Sequence, residues 1–143
     1  MPQEELADRL HSAAIHLLRR VAAVDGRTGL SPARLSALSV VVYAGSISMT
    51  ALARAERVSA ATMSSTVAGL EAAGLVTRCR APDDGRTVMV QATDRGRQVL
   101  VEGRRRRVAQ LAAGLADLPE TDRAALERGV AVLEALLRTQ PAG

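Results

Sequence analysis

Residues 59–93 read SAATMSSTVAGLEAAGLV followed by TRCRAPDDGRTVMVQAT, and this stretch decides the fold. In its first half Met63, Val67 and Leu70 recur at helical spacing. Its second half consists of two short runs rich in β-branched residues, joined by an Asp-Gly pair at 84–85 that signals a hairpin. A helix that runs directly into a two-stranded hairpin is the layout of a winged helix-turn-helix.

Serine and threonine residues before apolar runs predict where the other helices begin. Ser31, followed by Pro32, is a favourable helix start, and the helix that follows stops near a glycine at position 45. Ser48 predicts a short helix through residue 56, and Ser59 predicts the start of the recognition helix. Thr93 predicts a long helix that ends near residue 118. The centre of the chain is therefore two helices and a hairpin.

Helices at both ends of the chain carry wide apolar faces. The first is predicted from residue 2 or 3 to 24, ended by Gly26 and Gly29, and its apolar arc exceeds the ~100° stripe of an ordinary surface helix. The last helix starts at Pro119 and carries one apolar row, while residues 140–143 are expected to fray. One small domain cannot cover such faces, so they predict a second subunit. The row on the last helix is Leu126, Val130, Leu133 and Leu137.

The composition favours duplex DNA as the partner. All 19 positive charges are arginine, whose planar fork suits phosphates and base edges, and the net charge is +4. A GC-rich genome would give a similar composition, so charge alone decides little. Tyr43 is the only aromatic residue, which nearly excludes the base stacking that single strands and RNA loops require. Any bound nucleic acid is therefore expected to be double-stranded.

The recognition helix presents short side chains on the side away from its apolar row. Serine and threonine hydroxyls can bond to either base type, and alanine or threonine methyls can contact thymine methyls. The alternative is a solvent face of a helix that merely packs. The outward residues are Ser59, Ala60, Ala61, Thr62, Ser65, Thr66 and Gly69, and the DNA-binding candidates among them are Ser59, Ala61, Thr62, Ser65 and Thr66.

The hairpin supplies four further DNA-binding candidates: Arg78, Arg80, Asp84 and Arg86. An acidic residue at a DNA-facing tip repels phosphates unless it is otherwise engaged. We expect the Asp84 carboxylate to pair with the Arg86 guanidinium and to hold it extended into the minor groove. The alternative is that the Asp-Gly pair only closes the hairpin and that Arg86 is a solvated strand residue.

Three motifs in this order resemble the MarR family of bacterial transcription regulators. They are V-S-x-x-T-M-x-x-x-V-x-x-L-E-x-x-G-L-V at 58–76, the D-x-R tip at Asp84 and Arg86, and T-x-x-G at Thr93 and Gly96. The resemblance covers essentially the whole chain. It implies that Thr62 contacts a base or a phosphate and that Arg86 enters the minor groove. Ser65 and Gly69 depart from the pattern, because the family often has arginine or another long polar side chain there. The wing is therefore expected to supply a larger share of the DNA affinity than the recognition helix.

The resemblance implies a mainly α (α+β) fold, a winged helix-turn-helix with terminal helices that form a dimerisation region. Residues 1–30 and 94–143 would build the dimer, and residues 31–93 would bind DNA. The implied function is that of a homodimeric regulator, a repressor, on a pseudo-palindromic operator in double-stranded DNA, released by a small anionic or phenolic effector. The alternative is a winged-helix protein-interaction module without sequence-specific DNA binding.

Other candidate sites are few. His11 and Tyr43 are the candidate effector-binding residues, and His11 alternatively packs at the dimer seam. The expected pocket lies between the first, second and fifth helices and is aliphatic, with an arginine or His11 as its polar anchor. Cys79 alternates with arginines along a strand and is expected to be a small buried filler on the core side. No zinc spacing, nucleophile motif, cofactor motif or membrane-spanning run is present, so we expect a cytoplasmic protein that is not an enzyme and needs no metal or cofactor.

Overall fold

The structure is a computed structural model that describes residues 1–25 and 28–139, without the side chains of residues 24 and 25. Gly26 and residues 140–143, on which two expectations fall, lie outside the described residues. Helices predominate, with one small sheet, as predicted. The elements are α1 (Gln3–Asp25), α2 (Pro32–Ala44), β1 (Ser46–Ser48), α3 (Met49–Glu56), α4 (Ala60–Ala72), β2 (Val76–Arg80), β3 (Val88–Ala92), α5 (Asp94–Leu115) and α6 (Glu120–Thr139).

The predicted serine caps are confirmed at three helices. Ser31 accepts a hydrogen bond from the backbone N–H of Arg34, and Ser48 accepts one from Ala51 in the same way. Ser59 caps α4. These side chains satisfy backbone donors that have no partner inside the helix, which is why the helices begin where the sequence predicts.

The three strands form an antiparallel sheet in the order β1-β3-β2. Strands β2 and β3 pair from Val76 opposite Ala92 to Arg80 opposite Val88, as the predicted hairpin requires. Strand β1 pairs with the other edge of β3 and was not predicted, because three residues are too few to show an alternating pattern. The hairpin loop is also longer than the sequence suggested, since residues 81–87 separate the strands.

The chain divides into two compact units, residues 1–107 and 108–143. The first holds a core that helices α2, α3 and α4 build against the sheet. In the second, no residue of α6 is buried. The core consists of Ala37, Leu38, Val41, Leu52, Ala53, Met63, Val67, Leu70, Leu75, Val76, Val90 and Ala92.

Thr93 joins the end of the recognition helix to the start of α5. Its hydroxyl donates to the Gly74 carbonyl at 2.7 Å and accepts from the Gly96 N–H at 3.0 Å. Its own N–H donates to the Leu75 carbonyl at 3.0 Å. Gly74 has φ +74°, a conformation that favours glycine, and a Cβ on Gly96 would lie 2.1 Å from the Leu75 oxygen. The T-x-x-G motif is therefore both a helix cap and a close backbone contact.

The prediction that Cys79 is buried is wrong, because its side chain is exposed. Side chains alternate between the two faces of a strand, and Val76, which is buried, shares its face with Arg78 and Arg80. Cys79 lies with Thr77 on the opposite face, and both side chains are exposed.

None of the helices within the described ranges is both long and apolar enough to cross a bilayer. Nor does the described part of the chain bring together three His, Cys, Asp or Glu side chains that could hold a metal ion.

Candidate DNA interface

The N-terminal half of α4 presents the predicted polar face. Ser59, Ala61, Thr62 and Ser65 are exposed, and Thr66 is half-buried. The face is outward because the apolar residues at helical spacing on the other side are buried in the core. A groove of DNA would meet hydroxyls and methyls here, with no long side chain between helix and bases.

Local hydrogen bonds order these hydroxyls. The Ser59 hydroxyl accepts from the Thr62 N–H at 3.1 Å and donates to the Thr62 hydroxyl oxygen at 2.9 Å. The Thr66 hydroxyl donates to the Thr62 carbonyl at 3.0 Å. The Thr62 hydroxyl is exposed and makes only one of these contacts, so it retains hydrogen-bonding capacity for a phosphate or a base.

Gly69 does not belong to the outward face that the sequence predicted. It is half-buried, and a Cβ built on it would lie 2.4 Å from the Cζ atom of Arg34. The Arg34 guanidinium, which comes from α2, therefore covers this part of α4. The resemblance implied a long polar side chain at position 69, and here an arginine from another helix lies in that space.

The tip of the wing is held by the Asp84 carboxylate, although by a different contact from the one expected. One carboxylate oxygen accepts from the backbone N–H of Arg86 at 2.9 Å, and the other accepts from the Thr87 hydroxyl at 2.8 Å. Both hydrogen bonds lower the pKa of Asp84, and the bond from the Arg86 backbone has the larger effect. The expected pair with the Arg86 guanidinium is thus wrong. A short carboxylate reaches the N–H two residues on more readily than the end of a long side chain.

The other wing arginines have different roles from Arg86. Arg80 donates from Nη1 to the Gly85 carbonyl at 2.8 Å and so braces the tip. Arg78 forms an ion pair with Glu71, described below. Arg86 is exposed, and its guanidinium makes no hydrogen bond or ion pair to any residue that the structure describes. Of the three, Arg86 is the one whose guanidinium is exposed and not engaged by a described residue.

Glu71 links the recognition helix to the wing, a role that the residue pattern did not predict. Its Oε1 accepts from Nη2 of Arg78 at 2.9 Å, and its Oε2 accepts from the Arg78 backbone N–H at 3.2 Å. The side-chain hydrogen bond from Arg78 is the main cause that lowers the pKa of Glu71. A carboxylate in the last turn of a helix, seven residues before an arginine in the next strand, is the signal that could have found this pair.

Glu71→Gln is expected to reduce stability at neutral pH by a small amount, because the ion pair is half-exposed. The pKa of the folded carboxyl lies below its ordinary value of 4.5. The stabilisation is therefore complete above about pH 4.5 and is lost as the pH falls through the lower folded pKa. Urea midpoints of both proteins should differ at pH 7 and converge in acid. An unchanged gap in acid would contradict the ion pair; Glu134→Gln, exposed and without an ion pair in the described chain, is the control.

The candidate effector residues lie apart from the cleft where a small molecule would fit. His11 and Tyr43 are exposed, Tyr43 by 96%. A cleft of about 440 Å³ lies between α1, α2 and α5 in the first unit, and neither residue lines it. Its walls are largely aliphatic, with two serines and an arginine: Ala22, Leu30, Pro32, Leu35, Ser36, Ser39, Leu100 and Arg107.

Known proteins resemble this chain in sequence and in fold. The MarR family model matches residues 28–87. An HTH-type transcriptional regulator of Mycobacterium tuberculosis is 32% identical over 136 residues, which is 95% of each chain. Among solved structures, the transcriptional regulator Tm0710 of Thermotoga maritima has a TM-score of 0.85 at 20% identity, with 96% of each chain covered. FabT of Streptococcus pneumoniae in complex with DNA has a TM-score of 0.64 at 19% identity and covers 96% of this chain and 99% of its own.

The two structures are too distant in sequence to show more than the fold, and they agree with the winged helix-turn-helix seen here. The match over nearly the full length of the mycobacterial regulator, together with the family model, decides the family. The chain belongs to the MarR family, whose members are DNA-binding transcription regulators and not enzymes.

Proposed function

We propose that the protein is a homodimeric repressor that binds a pseudo-palindromic operator in double-stranded DNA. The observation that carries the proposal is the wing tip, where Asp84 and Arg80 order the backbone while the Arg86 guanidinium stays exposed and unengaged among the described residues. An arginine whose backbone is held and whose guanidinium is free suits the narrow minor groove, whose negative potential attracts it. The exposed face of α4 would read the adjacent major groove.

The candidate site residues have two kinds of role in this proposal. Arg86 and the α4 face of Ser59, Ala61, Thr62, Ser65 and Thr66 would contact DNA. Arg78, Arg80 and Asp84 would position the wing, since each is engaged by a contact inside the protein. We place the DNA-binding region at residues 31–93.

Exposed apolar rows support the homodimer. On α1, Leu6, Leu10 and Leu17 are 58%, 43% and 50% exposed in the single chain. On α6, Leu133 and Leu137 are 36% and 77% exposed. Such rows are normally covered by a partner. We therefore assign residues 1–30 and 94–143 to the dimerisation region. Two recognition helices would then address half-sites about 10 bp apart, and a dimer on a promoter would block transcription. The protein would act in the cytoplasm, where its DNA target lies.

Footprinting tests this proposal on an inverted repeat upstream of the gene itself. We expect Arg86→Ala to cost about 1–3 kcal/mol of operator binding. The loss should be greater on sites with A·T pairs under the wing, because the narrow A·T groove concentrates negative potential. A loss that is the same for every sequence under the wing would contradict the minor-groove role. Absence of a protected inverted repeat would favour the protein-interaction alternative.

Asp84 supplies the matched pair of variants for the same experiment. Asp84→Ala removes the acceptor that orders the backbone of Arg86, so binding should weaken, and adding Arg86→Ala should weaken it little further. Asp84→Asn keeps a side-chain oxygen and removes the charge that repels phosphate. Its binding should equal or exceed that of the wild type. Tighter binding by Asp84→Ala would leave the residue as a simple turn former.

The cleft between α1, α2 and α5 is where we propose that a small anionic or phenolic effector binds. Its aliphatic walls would hold the body of the ligand, and Arg107 would face its negative group. A panel of small carboxylates and phenols should include one that weakens DNA binding at least about fivefold. Ser39→Leu should abolish that response by filling the cleft. If no compound alters DNA affinity, the protein is a ligand-independent repressor.

A further inference from the structure

Arg57, in the turn between α3 and α4, has a backbone conformation that arginine rarely adopts. Its φ is 55° and its ψ is 43°, in the left-handed region where a Cβ is strained. It is the one non-glycine residue with positive φ in the described parts of the chain. At the ends of α2 and α4 the residues with positive φ are glycines, Gly45 and Gly74. The turn after α3 would be relaxed by glycine too, so the arginine side chain has another use.

That use is not a contact within the protein. The backbone N–H of Arg57 donates to the Arg54 carbonyl at 3.1 Å, and that of Val58 donates to the Ala53 carbonyl at 3.0 Å. These backbone bonds close α3 and would form equally with a glycine at position 57. The guanidinium makes no hydrogen bond or ion pair with any described residue, and the side chain is exposed. An outward residue held in a strained conformation suggests a partner outside the chain.

A second arginine faces the same surface groove. Arg54 and Arg57 both line a groove of about 300 Å³ along α3 and the first residue of α4. Arg54 also has no ion pair within the ranges that the structure describes. The other lining residues are uncharged, so nothing on the groove wall neutralises the two guanidinium groups: Met49, Thr50, Ala53, Val58 and Ala60.

We propose that Arg54 and Arg57 form a phosphate-binding groove that seats the DNA backbone beside the recognition helix. Guanidinium forks bind phosphate oxygens in pairs, and backbone contacts fix how a helix enters its groove. The groove adjoins Ala60, where α4 begins, so a strand held there would pass the end of the helix that carries Ser59 and Thr62. It would supply affinity that the short side chains of α4 cannot. This inference rests on the proposed DNA-binding function.

Arg57→Gly separates the two effects, because they have opposite signs. Relief of the strained backbone should raise Tm by about 2–4 °C. Removal of the guanidinium should weaken binding about tenfold and reduce the slope of log affinity against log salt by about 0.9 for each phosphate that the protein no longer neutralises. The probe is a fluorescently labelled duplex of mixed sequence, since phosphate binding does not depend on the operator.

Three further variants make the result specific. Arg57→Lys keeps the charge and should retain most of the binding, whereas Arg54→Gln should weaken it and flatten the salt slope as Arg57→Gly does. Arg128→Gln, on α6, removes one exposed charge elsewhere and is the control. If the Arg57→Gly protein is more stable but keeps the wild-type affinity and salt slope, the phosphate-binding role of the groove is overturned, and the proposed function stands. A wild-type protein that binds no duplex would overturn both.

Discussion

Gly96→Ala is expected to lower the free energy of unfolding by about 3 kcal/mol. The added Cβ would lie 2.1 Å from the Leu75 carbonyl oxygen and 3.3 Å from Cδ1 of Leu38. The first neighbour is backbone, and its oxygen already accepts from Thr93, so it cannot retreat without breaking that bond. The first turn of α5 would have to move away from the core. Urea unfolding, followed by circular dichroism, measures the destabilisation.

Gly114→Ala on the same helix is the control for this prediction. A Cβ there meets no atom within 4 Å, so the substitution should raise the stability of the helix by about 0.5–1 kcal/mol through higher helix propensity. Equal effects of the two substitutions would show that α5 responds to alanine generally and that the contact at Gly96 is not close.

Replacing Leu126 and Leu133 together by glutamine is expected to abolish the proposed dimer. Both lie on the apolar row of α6 and are 43% and 36% exposed in the single chain. Only about two-fifths of each leucine is left for an interface to bury, so its withdrawal costs about 0.6–1.2 kcal/mol, and a symmetric dimer loses four. The dimer dissociation constant should rise by about a hundredfold or more. Sedimentation and operator binding should both report the change, since a monomer reaches one half-site.

The matched variant replaces Arg128 and Glu134 by glutamine on the same helix. It also introduces two glutamines and leaves the net charge unchanged, and both residues are exposed. We expect it to remain dimeric and to bind the operator. Dissociation of both double variants alike would mean that α6 tolerates no change. A dimeric Leu126/Leu133 variant would place the seam on another surface.

The helix starts could be predicted from the sequence because their causes are local. Ser31, Ser48 and Ser59 each satisfy an N–H within three residues, so the neighbouring residues contain the whole interaction. The buried face of α4 follows from a period of 3.6 residues for the same reason. Strand β1 is different, because three residues become a strand only when β3 lies beside them.

The prediction for Cys79 assigned the residue to the correct strand but to the wrong face of that strand. The sequence predicted the strand correctly, but alternation alone does not say which face meets the core. Val76, at the start of β2, decides this because it is buried. Anchoring the strand at its apolar end would have placed Cys79 outside.

The contacts of the wing arginines could not be predicted from the sequence. An arginine-rich hairpin with an acidic tip could be predicted, but not the partner of each side chain. Arg78 meets Glu71 across a helix end, and Arg80 meets a carbonyl five residues later. Such contacts depend on the three-dimensional positions of long side chains, which the pattern of residues along the chain does not reveal. Of the wing arginines, Arg86 alone kept an outward guanidinium among the residues described.

The recognition helix and the wing are fastened together twice. The Glu71–Arg78 pair joins the last turn of α4 to β2, and Thr93 bonds the Gly74 carbonyl where β3 gives way to α5. The DNA-reading surface of one subunit should consequently move as a stiff body, with little bending between helix and wing. In the proposed dimer an effector would therefore change the distance and tilt between two such bodies and not their shape. A crosslink that fixes that distance would lock the regulator in one state, bound or released, whatever the effector concentration.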